Sequence, residues 1–249
     1  LWIGMGGATL YSIALGQNNH HRAKKVFTHS IILAIVTTGL IIGFCLLFEQ
    51  SLAYLFGAND SIISYAVDYL HIILLFGIVF VLENILSIFI RNDGNPTLAM
   101  MGLIVTAVVN IGLNYLFIFV FEWGVEGAAY ATVLGTFIGI LVLLTYFLTK
   151  KKQLGFVHTK LDFSILGNIF LIGFPSFVVE GSAAVMTVAF NITFSHYVGE
   201  TGIVAYAVVN YMHAVFMMLF IGVGAALQPI ASYHYGSKLF QRMKQFIRI

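Results

Sequence analysis

Charged side chains are scarce in this 249-residue sequence, where Asp, Glu, Lys and Arg together make up only 9% of the residues. Soluble domains typically carry about 25% charged residues, so the composition argues against a soluble protein. Hydrophobic residues account for 60% of the chain. The net charge of +2 is small and gives no indication of nucleic acid binding.

Cysteine is nearly absent as well. The single cysteine, Cys45, lies inside an apolar run, so the sequence can form neither an internal disulfide framework nor a thiolate metal site. The sequence also shows no His and Cys cluster, no nucleophile elbow and no phosphate-binding loop. These absences argue against an enzyme.

Long apolar runs, in contrast, fill most of the chain. They cover residues 1–16, 27–48, 62–90, 97–121, 126–149, 163–195 and 203–227. All but the first reach the ~20 residues that a membrane-spanning helix needs, and we interpret the first as the end of such a helix rather than a signal peptide. The runs are apolar on every face, unlike the alternating strands of a barrel. The predicted fold class is all-α, a polytopic membrane helical bundle.

The 12 Lys and Arg residues occur only in every second connecting segment. They follow the first, third, fifth and seventh runs, whereas the intervening segments contain acidic residues and neither Lys nor Arg. Basic segments stay in the cytoplasm during insertion, so we predict a multi-pass cell membrane protein with these segments cytoplasmic. Residues 20–27 and 237–249 mix bases with apolar residues, which is typical of interfacial amphipathic helices or of frayed helix ends.

The two ends of the sequence resemble each other at a spacing of 220 residues. At this spacing Gly4, Ser12, Gly16, Arg22 and Lys24 align with Gly224, Ser232, Gly236, Arg242 and Lys244. Both segments run in the same direction across the membrane, because the second comes six spans after the first. We therefore predict two parallel six-helix halves, with this chain covering about half of a twelve-helix protein.

Five segments, in their order and spacing, resemble the multidrug and toxic compound extrusion (MATE) transporters. They are FIRNDGNPTLAM, NIGLNYLFIF, WGVEGAAYATV, GFPSFVVE and GVGAALQPIASYHYG. The resemblance implies two six-helix lobes around a central cavity, and export of organic, often cationic compounds in exchange for Na⁺ or H⁺. It also implies a monomer in the lipid bilayer, with small-molecule organic cations as substrates and no cofactor besides the coupling ion.

This resemblance divides the chain into three parts. Residues 1–149 would form helices 2 to 6 of the family fold in the first lobe. Residues 150–162 would form a cytoplasmic linker, and residues 163–249 would begin the second lobe with helices 7 and 8 and an amphipathic segment.

Glu180 is the first candidate for ion coupling, because it follows Pro175 within the run 163–195. A carboxyl group inside a membrane could hold a proton, a Na⁺ ion or a cationic substrate in competition. Many members of the resembling family carry an acidic residue in this helix. The alternative is a neutral Glu that forms a hydrogen bond to a neighbouring helix.

A second candidate site consists of Asn110, Asn114 and Thr132. The two Asn residues lie on one helix face, and the three side chains offer neutral oxygens that suit a hard cation. They match a family Na⁺ site in which position 114 is Asp and a further Asp comes from the first helix. The alternative is interhelical hydrogen bonding without a cation.

Two groups of residues are candidates for the wall of a substrate cavity. Glu83 and Asn84 belong to the first group, in which Glu83 either lines the inner mouth or, as we favour, pairs with Arg91. The second group comes from the last run and has the adaptable character of Met and aromatic surfaces, although plain helix packing would explain it equally. Its members are Tyr206, Asn210, Tyr211, His213 and Met217.

Local signals add three expectations. The segment RNDGNP predicts a cytoplasmic turn, with Asn95 capping the next helix and Pro96 at its first position. Glycine pairs at 39 and 43 and at 135 and 139 predict close helix approach. Pro175 and Pro229 are expected to interrupt their helices.

Three other functions fit the sequence less well than export. A flippase for lipid-linked saccharides, from the same superfamily, would need a more strongly basic cavity than the apolar runs offer. A water channel would need paired Asn-Pro boxes, and only one such dipeptide, Asn95-Pro96, occurs here. A membrane enzyme lacks any supporting motif.

Overall fold

Helices form all the regular structure in the described residues of this computed structural model, which are 2–56, 58, 60, 62–148, 152–198 and 200–247. The helices are α1 (Trp2–Gly16), α2 (His20–Leu47), α3 (Glu49–Leu55), α4 (Ile63–Leu75), α5 (Gly77–Asn92), α6 (Pro96–Asn114), α7 (Gly124–Leu144), α8 (Phe163–Val198), α9 (Glu200–Gly236) and α10 (Phe240–Ile247). A π-helical segment, Tyr115–Val120, extends α6, and a 3₁₀ segment, Thr145–Leu148, extends α7. Lys150, Lys151 and Arg248, used above for the topology, lie outside the described residues.

Five helical segments are long and apolar enough to cross a membrane: His20–Leu47, Pro96–Val120, Gly124–Leu148, Phe163–Phe190 and Val208–Gly236. A sixth crossing is broken, because α4 and α5 meet at a bend of 51°. The span predicted over residues 62–90 is therefore formed by two helices and not by one. Gly77, a weak helix former, begins α5 at the bend, where a Cβ atom would lie 2.9 Å from Ile42 of α2.

The centre of the molecule is α1, which packs against α2, α5, α8 and α9. Tyr11 on α1, Phe27 on α2 and Phe89 on α5 are fully buried. Their rings meet edge to face, with centroids 5.5 Å apart for Tyr11 and Phe89 and 5.1 Å apart for Phe27 and Phe89. Such pairs add about 0.5–1.5 kcal/mol to the burial of the rings. This cluster joins α1, α2 and α5. The helices α1–α7 are called here the N-terminal group.

The repeat predicted from the sequence is visible in the backbone. After α1, Asn18 has a positive φ of 57°, and its N–H donates to Leu15 O at 2.9 Å. After α9, Lys238, 220 residues later, has a φ of 59°, and its N–H donates to Tyr235 O at 3.1 Å. The same helix ending thus occurs twice, which confirms that the two segments are equivalent elements.

The C-terminal pair, α8 and α9, contacts the N-terminal group through glycines on α1. A Cβ atom on Gly6 would overlap Ile169 O of α8, and one on Gly16 would overlap Tyr233 O of α9. Gly173 and Gly236 approach α1 equally closely from the other side. Because Gly16 and Gly236 end their helices beside basic segments, this contact extends to the face of the molecule that carries the bases.

The two predicted glycine pairs behave differently. Gly135 and Gly139 on α7 face α6, and a Cβ atom at Gly135 would lie 3.1 Å from Asn110 Cβ. Gly39 and Gly43 on α2 have no atom within 4 Å of a Cβ position. Close approach is therefore confirmed for the pair on α7 and wrong for the pair on α2, whose face is open in the described structure.

The structure confirms some of the local predictions for turns, prolines and basic segments and contradicts others. Asn95 Oδ1 accepts the N–H of Leu98 at 3.1 Å and Pro96 begins α6, as predicted for the turn. Helices α8 and α9 continue through Pro175 and Pro229, so the expected interruptions are absent. Residues 20–27 belong to the continuous helix α2 and form no separate amphipathic helix, whereas the other basic segment does contain a short helix, α10.

Candidate functional site

A cavity of about 400 Å³ lies between the N-terminal group and the C-terminal pair. Helices α1, α5, α6, α8 and α9 all contribute to its wall. The wall is mostly apolar, and its polar members are Asn84, Ser87, Arg91, Ser176 and Glu180. Drug-sized ligands occupy cavities of roughly 300–1,000 Å³ with this kind of lining.

Glu180 is exposed towards this cavity and also lines a neighbouring one of about 350 Å³ between α8 and α9. Asn210, His213 and Met217 line the second cavity. The structure therefore brings four of the predicted residues together along one path. A carboxylate at the junction of two cavities can contact a ligand or an ion in either of them.

Tyr206 and Tyr211 lie elsewhere. The ring of Tyr206 is buried and stacks between Phe190 and Phe194, at 5.3 Å from each. Tyr211 is 76% exposed on another face of α9. Residues 206, 210 and 213 are separated by single helical turns, but Tyr211 is rotated by about 100° from its neighbour Asn210. Neither tyrosine lines the cavities that Glu180 shares.

Glu83 does not line the cavity either. The predicted pairing of Glu83 with Arg91 is also wrong. Its carboxylate is buried between helices and accepts a hydrogen bond from Thr106 Oγ1 of α6. Asn84, the next residue, lines the cavity instead. Successive residues on a helix differ by about 100° in direction, so one position separates the interior of the N-terminal group from the cavity.

Arg91, the partner expected for Glu83, points to the cavity. Its Nε atom is buried, and no acceptor in the described part of the chain forms a hydrogen bond with it. From sequence, Arg91 was expected only to mark the cytoplasmic end of its helix and to neutralise Glu83. The structure instead makes it a charged member of the cavity wall.

Glu83 of α5 contacts the first member of a polar stripe on the face of α6 that packs on α7. Thr106, Asn110 and Asn114 follow one another at intervals of four residues. Asn110 Nδ2 donates to Thr132 Oγ1 at 3.1 Å, and Asn114 Nδ2 donates to Asn110 Oδ1 at 3.0 Å. The three predicted residues of the second candidate site are thus together, but they bond to one another.

The comparisons with known proteins agree with this architecture. The family model MatE matches residues 1–116 and 175–249, which is more than half of the chain. The chain belongs to the MatE family. This confirms the family resemblance, the fold class and the membrane location predicted from the sequence.

Among the relatives of this MatE chain is multidrug export protein MepA of Staphylococcus saprophyticus, which is 27% identical over 248 residues, 99% of this chain and 54% of that protein. Probable multidrug resistance protein YoeA of Bacillus subtilis is 29% identical over 260 residues, covering 99% and 55%. The chain therefore spans about half the length of the curated relatives it matches. Their names are those of export and resistance proteins, so at the level of the family the prediction of a non-enzyme is confirmed.

Solved MATE structures have the same fold. The structure of the MATE multidrug transporter DinF-BH in complex with R6G has a TM-score of 0.89 at 32% identity, over 99% of this chain and 56% of that one. An outward-facing MATE family transporter of the MOP superfamily has a TM-score of 0.85 at 23% identity, over 98% and 55%. The helices described above are therefore an incomplete MATE fold.

Asp93, which the sequence predicts only as part of a turn, accepts four hydrogen bonds from distant residues. Asp93 Oδ1 accepts from Tyr11 Oη at 2.7 Å. Asp93 Oδ2 accepts from Tyr146 Oη at 2.6 Å and from the N–H groups of Gln153 and Leu154 at 2.8 and 2.9 Å. This single side chain joins α1, the end of α7 and the segment that leads to α8.

A second network connects three helices next to Asp93. Ser12 of α1 donates to Asn92 Oδ1 at 2.6 Å, and Asn92 Nδ2 donates to Gln228 Oε1 of α9 at 3.1 Å. Gln228 Nε2 in turn donates to Thr9 Oγ1 of α1 at 3.0 Å. These bonds hold the C-terminal pair to the N-terminal group. An Asp-Gly turn in the sequence signals none of these partners, because they lie far along the chain.

The segment before α8 is tied down at two further points. The Val157 N–H donates to Thr28 Oγ1 at 3.1 Å, and the Asp162 N–H donates to His29 Nε2 at 2.9 Å. Since Nε2 accepts here, the proton of His29 is on Nδ1, which donates to Lys25 O at 2.8 Å. The predicted linker is thus packed on α2 at its described residues. The proposed division at residues 149 and 163 stays a prediction.

Proposed function

We propose that this chain is part of a secondary active antiporter that exports organic, often cationic compounds in exchange for Na⁺ or H⁺. The observation that carries the proposal is the mostly apolar cavity of about 400 Å³ with Glu180 on its wall. An apolar wall accepts many molecular shapes, and a single carboxylate favours positive charge. The names of MepA, a multidrug export protein, and of YoeA, a probable multidrug resistance protein, support the same function.

Glu180 would couple the two fluxes by competition. A carboxylate can hold a proton, a Na⁺ ion or the cationic group of a substrate, but only one of them at a time. Entry of the ion would release the substrate, and alternating access between the two lobes would separate the two events in space. The position of Glu180 on both cavities allows each competitor to arrive from a different side.

The polar stripe of the N-terminal group is a second coupling candidate. Glu83 adds a carboxylate to Asn110, Asn114 and Thr132, which lack one of their own. Na⁺ binding would require the Asn–Thr bonds to break, whereas a proton on Glu83 requires no rearrangement. We therefore expect the stripe to carry a proton rather than Na⁺.

The test is export by the intact protein in liposomes. A fluorescent organic cation is loaded, and either a Na⁺ gradient or a pH gradient is imposed. We expect export under at least one gradient and a loss of about tenfold or more with Glu180→Gln. Glu83→Gln, which keeps the shape and the Thr106 contact, should change export driven by pH more than export driven by Na⁺.

His71→Gln is the matched control, because His71 contacts Glu49 near the surface, away from both cavities. It should export as the unmodified protein does. Wild-type export by Glu180→Gln under both gradients would refute the coupling role. Export that needs ATP and no ion gradient would refute the antiporter.

The orientation follows from the basic segments, which we propose to be cytoplasmic. With Cys45 replaced, a cysteine at Lys24 should be protected from an impermeant maleimide in intact cells, and a cysteine at Glu126 should react. The reverse pattern would invert the topology.

We also propose that the functional unit is a monomer. Single-molecule photobleaching of the labelled protein should then show one bleaching step per fluorescent spot.

A lipid-linked saccharide flippase remains the second candidate. Such a substrate carries phosphate groups that require several bases. In the described part of the chain the cavity wall has Arg91 as its one base, and it also carries Glu180. The antiporter therefore fits the wall better.

A further inference from the structure

A hydrogen-bonded contact between α1, α5 and α9 lies next to the cavity, on the side of the basic segments. Each of these helices contributes a residue to the cavity wall and then, nearer its basic end, a polar residue to the contact. The wall residues are Met5, Ser87 and Gly224, and the contact residues that follow them are Thr9, Asn92 and Gln228. The contact therefore separates the cavity from the face of the molecule that carries the bases.

Gln228 uses both ends of its side-chain amide in this contact. Its Oε1 accepts from Asn92 Nδ2 at 3.1 Å, and its Nε2 donates to Thr9 Oγ1 at 3.0 Å. Gln228 belongs to the C-terminal pair, whereas Asn92 and Thr9 belong to the N-terminal group. Both bonds of Gln228 thus cross the boundary between the two parts of the molecule.

The backbones of α1 and α9 meet about two helical turns nearer the basic face. The carbonyl oxygen of Gly16 accepts from Ser237 Oγ at 2.9 Å, and a Cβ atom at Gly236 would overlap Ile13 O. The space between the two helices is too small for an organic molecule here. A substrate cannot pass between α1 and α9 while these contacts are intact.

The two sides of the contact differ in how firmly they are held. Asn92 Oδ1 also accepts from Ser12 Oγ at 2.6 Å, and Asn92 Nδ2 also donates to Ile88 O at 2.8 Å. Asn92 and Ser12 are buried, whereas Gln228 is half-buried. Because Asn92 keeps its other bonds when Gln228 leaves, the N-terminal side stays in place. Gln228 is therefore the point at which this contact can separate.

We propose that Gln228 is a positioning residue that holds the cavity closed towards the basic segments, and that the cavity opens to that side when its two bonds break. The proposal rests on the proposed function, which requires alternating access. Neutral hydrogen bonds between membrane helices are individually weak, and water that enters an open boundary can replace them. Such a contact favours the closed state without preventing the change to the open one.

A thiol in the cavity wall tests the proposal, because it reports the face from which the cavity can be reached. The intact protein carries Ser176→Cys on α8, with the native cysteines replaced. Everted and right-side-out membrane vesicles expose opposite faces to an impermeant maleimide. Lys24→Cys in a parallel sample identifies the vesicles whose outer surface is the basic face. The measured quantity is the labelling rate from the basic face divided by the rate from the opposite face.

Gln228→Leu removes both bonds and keeps a similar side-chain volume. It should raise this ratio by about fivefold, with faster labelling from the basic face and slower labelling from the opposite face, as expected for two weak hydrogen bonds. Thr9→Val removes one bond with little change of shape and should raise the ratio by about twofold. Gln241→Leu is the matched control, because Gln241 is exposed on α10, and its ratio should equal that of the unmodified protein.

Three results would overturn the proposal: an unchanged ratio in Gln228→Leu, an equal rise in Gln241→Leu, or faster labelling of Gln228→Leu from both faces. The last result is what a merely loosened structure would give. If Gln228→Leu does not fold, Thr9→Val decides, and an unchanged ratio there overturns the proposal.

The labelling needs neither a substrate nor an ion gradient, so failure of the antiporter proposal is seen separately. It would appear as a raised labelling ratio in Gln228→Leu together with an unmodified protein that exports no fluorescent cation under either gradient.

Discussion

Two polar regions of this molecule, the stripe between α6 and α7 and the wall of the cavity, differ in how their hydrogen bonds are used. In the stripe between α6 and α7, Asn110, Asn114 and Thr132 bond to one another, and Thr106 donates to Glu83. In the cavity, Arg91 has a buried donor without a partner in the described chain. Both regions include α5 and α6, and α5 contributes a charged residue to each.

The difference separates polar groups that stabilise the fold from those that are available to a ligand. A polar side chain in a membrane is costly unless a partner satisfies it. In the stripe the partners are other side chains, so the cost is met within the protein. In the cavity there is open volume beside the polar atoms, so the partner can be a molecule that comes and goes.

The largest loss of stability is expected when a side chain is added at Gly139, where α7 packs closely on the stripe. A Cβ atom at Gly139 would overlap both Thr106 Oγ1 and Glu83 Oε1. Gly139→Ala should therefore lower the free energy of unfolding by about 3 kcal/mol, as overpacking does. The measurement is the unfolding of the intact protein in mixed micelles.

The control for this change is Gly43→Ala, another glycine inside a long helix, which has no atom within 4 Å of a Cβ position. It should be neutral or slightly stabilising, since alanine favours the helix. Equal stability of the two variants would mean that the stripe can open without cost, and the comparison between stripe and cavity would fail.

A smaller effect is expected at Asp93, a carboxylate whose oxygens are satisfied by the protein itself. Asp93→Asn weakens the bonds from Tyr11, Tyr146 and two backbone N–H groups, and it should cost about 2 kcal/mol of stability. It should leave the affinity for the fluorescent organic cation unchanged. Asp60→Asn is the control, because Asp60 is exposed and bonds to the exposed Tyr54, so it should cost less than about 0.5 kcal/mol. A change of that affinity in Asp93→Asn would place this residue with the cavity.

The smallest effect is expected within the stripe. A double-mutant cycle with Asn110→Ala and Thr132→Val should give a coupling energy of about 0.6 kcal/mol, typical of hydrogen bonds between membrane helices. The cycle is measured by unfolding, once in Na⁺ and once in choline. Equal coupling in both salts supports a structural stripe, and a coupling that grows in Na⁺ would assign a cation to it.

Much of the fold could be predicted from sequence, because residues that face lipid must be apolar and the composition of each segment therefore shows whether it crosses the membrane. Apolar runs of sufficient length identify the spanning helices, and the alternation of basic segments predicts their direction. The recurrence of Gly16 as Gly236 anticipated the matching ends of α1 and α9. The bend at Gly77 was missed, because one glycine in a long apolar run is weak evidence for a break.

The site was predicted less well, and Glu83 shows why. The residue was rightly expected to be important to the polar interior, but its partner was placed on its own helix at Arg91. The actual partner, Thr106, comes from α6. Similarly, the four donors to Asp93 lie 53 to 82 positions away in the sequence. Two of them belong to the segment before α8.

The sequence by itself determined the helical membrane fold, the number and order of its apolar spans, and the repeat that relates its two ends. These features depend on the solvent around each segment and on its local geometry. Both follow from nearby residues and do not require knowledge of contacts that are distant in sequence. Only the tertiary structure decided that Glu83 faces a partner while Asn84 and Arg91 face a cavity. A rotation of about 100° per residue separates these directions, and the packing of helices remote in sequence determines what each direction meets.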